Sequence, residues 1–161
     1  METLEEKLRQ FLQEKQVSYQ KMQHAEATTC EDSARERGKD MAIGGKTLLF
    51  KSKKNFHLFT LSAVEKVDSN KVRKILKSDR LRFATEDELW QLTGALKGAL
   101  PPFGEPLLPF DLHVDESVLK NSEMAFNAGV LTTSFILQTM DYLEVTNPRI
   151  TNFARDPRQL P

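Results

Sequence analysis

The sequence predicts an α+β domain, with a mixed, curved central β-sheet flanked by short helices. Three observations point there. Apolar runs of strand length are interleaved with capped stretches of helical period, but without the regular strand–helix repeat of a doubly wound sheet. The stretch "LTGALKGALPPFGEPLLP" (92–109) holds three of the seven glycines and four of the seven prolines, which blocks a regular helix there and predicts a shaped loop. Finally, 161 residues with 39% hydrophobic content suffice for one domain with its own core.

Each element follows from local pattern. Thr3 with Glu6 three residues later reads as a capping box, and Leu4, Leu8, Phe11 and Leu12 share one face of the helix behind it. "VSYQKM" (17–22) is a short extended segment. Thr28 with Glu31 repeats the capping pattern, and Gly38 supplies a left-handed stop. "KTLLF" and "FHLFTL", separated by "KSKKN" (51–55), predict a hairpin with a polar turn. Asp68 opens a helix through "DSNKVRKILK" that turns Val72, Ile75 and Leu76 inward. "RLRFA" predicts a small strand, and Thr85 with Glu88 caps a helix running through Trp90 and Leu92. "FDLHV", "EMAFNAG" and "TTSFILQT" read as later strands, with a short helix over Glu116–Lys120 between the first two. "MDYLEV" closes a domain placed at residues 1–146, leaving 147–161 as a polar C-terminal tail.

Composition narrows the function. No apolar run approaches the roughly 20 residues of a membrane span, and the charged amino terminus is unlike a secretory signal. The expectation is a cytoplasmic protein without a membrane partner. Cys30 is the only cysteine, which excludes an internal disulfide and a cysteine-built zinc site. The formal net charge is zero, yet residues 39–82 carry 12 Lys/Arg against 4 Asp/Glu. Such segregation suits a polyanionic partner, although lysines that merely solvate a helix and a hairpin would look the same.

The motifs of common catalysts are missing: there is no G-x-S-x-G elbow, P-loop or H-E-x-x-H. His24, His57 and His113 lack metal-ligand spacing, so neither a metal nor another cofactor is expected. Cys30, beside Glu31 and Asp32, reads as a packing thiol rather than a nucleophile. Three elements remain. Lys46 follows Gly44 and Gly45 at the mouth of a strand, which would hold an ammonium in a fixed place for a phosphate or carbonyl oxygen. An edge-strand lysine that deters aggregation is the commoner reading of such a residue taken alone. The loop "TGALKGALPPFG" exposes backbone N–H and C=O groups along a rigid path, or else simply connects two elements. "FNAG" ends a strand in a small-residue turn that places the Asn127 amide at its tip, an ordinary place for asparagine.

In this order and spacing, "EDSARERG", "GGKTLLFK", "DSNKVRKIL", "TGALKGALPPFG", "FNAG" and "MDYLEV" resemble the YbaK family, aminoacyl-tRNA deacylases related to the editing domain of bacterial prolyl-tRNA synthetases. The resemblance runs from about Val17 to Val145. It implies that Lys46, Gly98 and Asn127 are catalytic. It also implies that Gly45, Thr47, Ala99, Leu100, Pro101, Pro102, Ala128, Gly129 and Ser134 bind substrate. Water would attack the ester carbonyl without a covalent enzyme intermediate, the substrate's own ribose hydroxyl assisting proton transfer.

The implied partner is the acceptor end of an aminoacyl-tRNA, with Lys51, Lys53 and Lys54 against its backbone and an aminoacyl-tRNA synthetase as a possible second partner. The implied activity is trans-editing of tRNA-Pro or a related tRNA that carries Ala, Cys, Ser or Thr. A non-catalytic tRNA- or synthetase-binding module of the same fold is the alternative, and a hydrolase of some other small ester a third reading. The cysteinyl branch of the family has a serine where Asn127 stands and an acidic residue where Ser134 stands, which leaves the edited amino acid open.

Overall fold

Thr3 opens the first helix as its pattern predicts: its hydroxyl accepts from the Glu6 N–H, while the Glu6 carboxylate accepts from the Thr3 N–H. That helix, α1 (Leu4–Glu14), buries Leu4, Leu8, Phe11 and Leu12 on one face. The computed structural model describes residues 2–157. The helices that follow are α2 (Cys30–Arg37), α3 (Ser69–Leu76), α4 (Glu86–Thr93) and α5 (Thr139–Thr146). Eight strands complete the described residues: β1 (Gln20–Gln23), β2 (Gly45–Lys51), β3 (Phe56–Ser62), β4 (Arg82–Phe83), β5 (Asp111–Asp115), β6 (Glu123–Asn127), β7 (Thr133–Gln138) and β8 (Arg149–Thr151).

The α+β class holds, and the sheet is mixed as expected, but it is divided in two. Five strands form one sheet in the order β4-β2-β3-β5-β8, and three form another in the order β1-β7-β6. The β2–β3 hairpin is antiparallel and turns through Ser52–Asn55, whereas β3–β5 and β5–β8 are parallel. A single bridge between Gly44 and Ala125 joins the two sheets. β3 is covered on both faces, with Leu58 to Ser62 all buried. Leu58 belongs to the main core with Leu8, Leu12, Phe103, Phe126, Phe135 and Tyr142. Phe59 and Leu61 face a second core with Phe50, Val72 and Phe153. Strands buried on two sides read as continuous apolar runs, which is why "FHLFTL" shows no alternation.

Two sequence expectations change. The cap of α2 is Thr29, whose hydroxyl accepts from the Asp32 N–H, and not Thr28. Both threonines have an acidic residue three positions later, so the pattern is degenerate by one residue. The segment read as a polar tail carries β8 and the fully buried Phe153. Asp115 accepts from the N–H groups of Phe153 and Ala154 at 2.7 and 3.1 Å. Burying such a phenyl ring contributes about 2 kcal/mol. The domain therefore extends past residue 146, and the part of the predicted tail from 158 lies outside the described residues.

Candidate active site

A cavity of about 450 Å³ opens between α2, the start of β2, β4 and the Gly/Pro loop. Its wall includes Lys46, Gly98 and Asn127, together with Gly45, Thr47 and Leu100. The three elements singled out in the sequence thus share one chamber. Ala99, Pro101, Pro102, Ala128, Gly129 and Ser134 lie behind its wall and do not line it. Their bonds brace the loop: the Gly129 N–H donates to the Ala99 carbonyl at 3.0 Å, and the Tyr142 hydroxyl donates to the Pro102 carbonyl at 2.6 Å. Lys51, Lys53 and Lys54 stand at the far end of the β2–β3 hairpin, with the Lys51 amine 5.5 Å from the centre of the Phe56 ring and the other two exposed.

Lys46 is half-buried at the mouth of β2, where its amine donates to the Glu65 carbonyl at 2.6 Å. No carboxylate lies within 4.0 Å of it among the described residues. Burial pushes its pKa below the usual lysine value, and nearby Lys66 adds to that fall. An ammonium has three donors, so two remain for a ligand. The backbone comes close here because β2 starts on glycine. A Cβ on Gly45 would collide with the Met124 side chain.

Gly98 sits at φ +91°, and a Cβ there would meet the Thr28 carbonyl at 3.0 Å. Asn127 locks this turn to α2's approach: its amide NH₂ donates to the Gly98 carbonyl at 2.9 Å and to the Ala27 carbonyl at 3.2 Å. With both donors committed, its oxygen must face donors, and it does. The Arg37 guanidinium reaches it at 3.3 Å and the Ser134 hydroxyl lies at 3.2 Å. Arg37 also donates from Nε to the Ser134 oxygen at 2.8 Å. His24 donates from Nδ1 to the Ala25 carbonyl, which in the neutral ring leaves Nε2, 2.8 Å from the same hydroxyl, as an acceptor. The single Ser134 proton then serves either His24 or Asn127.

Arg37 was not among the residues the sequence suggested. It is only 7% exposed, lines the cavity, and has no carboxylate within 4.0 Å among the described residues. Burial lowers its pKa to about 10. Its signal in the sequence was slight: Ser33 and Arg37, four apart on "CEDSARER", are the residues of α2 that are buried. A helix whose inward face is polar looks like a solvated one. Cys30 is half-buried in the cavity wall rather than in a core, and burial raises its thiol pKa, which keeps it protonated at neutral pH. The lining also has Thr28, Thr29 and Ser33 on one side, and Phe83 with Leu89 and Lys97 toward the loop.

The fold and cavity define a small α+β domain with one pocket wall that combines cationic side chains and glycine-rich main chain. Comparison with known proteins takes the identification further. Residues 24–145 match the model of the aminoacyl-tRNA editing domain. The multifunctional Ser/Thr-tRNA deacylase ProXp-y of Escherichia coli K12 is 32% identical over 151 residues, covering 90% of this chain and 89% of that protein. A solved structure provisionally described as a trans-editing enzyme for prolyl-tRNA synthetase shares the fold with a TM-score of 0.83 at 22% identity, over 97% of this chain and 99% of that one. A hypothetical protein, APE2540, superposes with a TM-score of 0.81 at 17% identity, over 92% and 99% of the two chains. The chain belongs to the aminoacyl-tRNA editing domain family. No helix among the described residues is long and apolar enough to cross a membrane.

Proposed function

We propose that this chain removes serine and threonine from wrongly charged tRNA in trans, holding the aminoacylated 3′ end in the cavity between Lys46, Arg37 and the Gly98 loop. The observation that carries this reading is the pair of cations, Lys46 and Arg37, that line one chamber with no carboxylate oxygen within 4.0 Å of either among the described residues. In a partly dry site such charges act strongly on a terminal phosphate or on the oxyanion that develops as water adds to the ester carbonyl. The C–O bond to the ribose then breaks, releasing the amino acid and restoring the ribose hydroxyl. An ester is already activated, so positioned donors suffice where an amide would demand a nucleophile.

Three features support the substrate class. Thr28, Thr29 and Ser33 bring hydroxyl-bearing side chains to the wall, and a site that hydrogen-bonds a substrate hydroxyl discriminates more steeply than one that measures size. The E. coli relative is named for Ser and Thr. The ring of Phe83, half exposed at the cavity and stacked 4.7 Å from Phe50, offers a rigid face for the terminal base. The basic segment 39–82, which includes the β2–β3 hairpin and α3, would lie along the acceptor-stem phosphates, with Lys51, Lys53 and Lys54 at its edge.

The test is loss of ester from a panel of Ser-, Thr-, Ala-, Cys- and Pro-charged tRNAs. Turnover of Ser- and Thr-tRNA ahead of the others is expected. Absence of turnover on the whole panel, with tRNA affinity retained, would make this a binding module instead.

A further inference from the structure

The sequence sets the three histidines apart, but the parallel pairing of β3 with β5 brings two of them together. His57 stands opposite Asp111 in that register, and Phe59 opposite His113. Alternate residues of a strand share a face, so Asp111 and His113 project to the side that His57 occupies. One His57 nitrogen, Nδ1, donates to one Asp111 oxygen at 2.8 Å, and His113 Nε2 donates to the other at 2.8 Å. The three donor atoms lie within 4.8 Å of one another, a grouping that no other set of His, Cys, Asp and Glu residues achieves among the described residues.

We infer that His57, Asp111 and His113 form a zinc site, separate from the editing cavity, that fastens β3 to β5 beside the basic hairpin tip. Two imidazoles and a carboxylate are a donor set that Zn²⁺ accepts, with water completing the coordination. A tetrahedral ion with bonds near 2.0–2.1 Å spaces its ligand atoms by about 3.3 Å. The Asp111 oxygens must therefore draw back by about half an ångström from their present hydrogen bonds. At 39% side-chain exposure that carboxylate has the freedom to do so, and it leaves the ion a path from solvent.

The surroundings of His57 fit an ion. A metal-bound imidazole needs an acceptor for its second nitrogen. For His57 that acceptor is in place: Nε2 lies 2.9 Å from the Ser52 hydroxyl, which itself lies 3.5 Å from the Asn55 carbonyl. When Nδ1 takes the ion, Nε2–H donates to Ser52, and Ser52 turns its own proton to Asn55. His113 is 1% exposed and stacked 4.4 Å from the Phe59 ring, which fixes its plane. Its Nδ1 has no partner, and with Nε2 on the ion it becomes a buried N–H without an acceptor, a cost that the bonds from the two imidazoles, the carboxylate and water must outweigh. None of the three residues lines the editing cavity. Lys46 pairs with Leu61, four residues along β3 from His57, roughly 13 Å at the rise of a strand. The ion is thus structural, and hydrolysis proceeds without it.

The test uses the full chain, stripped of metal with a chelator and titrated with Co²⁺ and Zn²⁺. One equivalent of Co²⁺ should produce the visible absorption of a four- or five-coordinate ion, and zinc should displace it and raise Tm by several degrees. Both signals should vanish in His57→Gln and in Asp111→Asn, which keep a polar side chain of similar size and whose fold is checked by the metal-free melting curve, while Ser-tRNA hydrolysis by the unsubstituted protein stays the same with and without zinc. A metal-free protein with no stoichiometric Co²⁺ spectrum and no zinc-dependent rise in Tm overturns the inference. So does binding that persists in both variants, which would place the ion elsewhere, or a deacylase that requires zinc. The spectral and thermal readouts do not depend on the editing reaction, so failure of one reading is distinguishable from failure of the other.

Discussion

Arg37→Met separates catalysis from stability. Burial lowers the Arg37 pKa from the ordinary arginine value to about 10, which at 1.36 kcal/mol per pH unit corresponds to about 3 kcal/mol by which the fold disfavours the charge. Methionine removes that penalty and keeps most of the packing volume. Against this, Ser134 and Asn127 lose their hydrogen bonds at 2.8 and 3.3 Å. Bonds to charged groups contribute roughly 1.5–3 kcal/mol each, the longer one at the low end. Ser134 and Asn127 can still pair with each other at 3.2 Å, which limits the loss further. The two effects nearly cancel, so Tm should stay within a few degrees of the parent. Catalysis should not be spared, because loss of a preorganised donor to a developing oxyanion costs about 10²–10³ in rate. Thermal melting and single-turnover hydrolysis of Ser-tRNA measure the two effects on one preparation. A variant that melts far lower yet hydrolyses normally would show Arg37 to be a structural clamp, and would remove it from the mechanism.

Other substitutions probe the remaining parts. Lys46→Ala should lower kcat/KM by about 10²-fold or more with little change in Tm, since a half-buried amine holding one carbonyl is what is lost; full activity would exclude it from the chemistry. Gly98→Ala should cost about 1–2 kcal/mol, because an L-residue is strained at φ +91°, and should depress activity as the turn moves; an unchanged Tm would contradict the rigid-turn argument. Phe83→Ala should raise KM and leave kcat alone, while Phe83→Trp restores KM; equal loss in both would argue against stacking. Glu88 is held at a pKa of about 2 by Arg82, bonded at 2.7 and 3.0 Å, and by the Thr85 N–H. Its folded pKa is below the unfolded one, so its contribution is present above the ordinary carboxylate value near 4.3 and fades as pH falls toward 2. The Tm deficit of Glu88→Gln at pH 7 should therefore shrink on acidification.

Helices and hairpins were legible because their causes are local. A capping threonine three residues before a glutamate, a glycine at a left-handed stop, and a polar turn between two apolar runs act within a few residues. The cap of α2 slipped by one position only because two threonines offered the same spacing. The division into two sheets was not legible, since it depends on which strands meet across long separations. Neither was the role of residues 149–154, where a polar-looking segment hides a strand and Phe153.

The site divides the same way. A lysine behind two glycines, a loop stiffened by prolines and an asparagine at a turn are visible in one dimension, and their resemblance to a family could be read there. That Lys46 and Gly98 share a chamber with Arg37, and that His57 stands against Asp111, are facts of chain crossing. They arise because Gly44, just ahead of β2, bridges to Ala125 of β6 and β3 pairs with β5 in parallel across more than fifty residues. Spacing along a chain records the forces between near neighbours. The burial of a cation, the company it keeps, and therefore its chemistry are set by segments that the chain brings together only on folding.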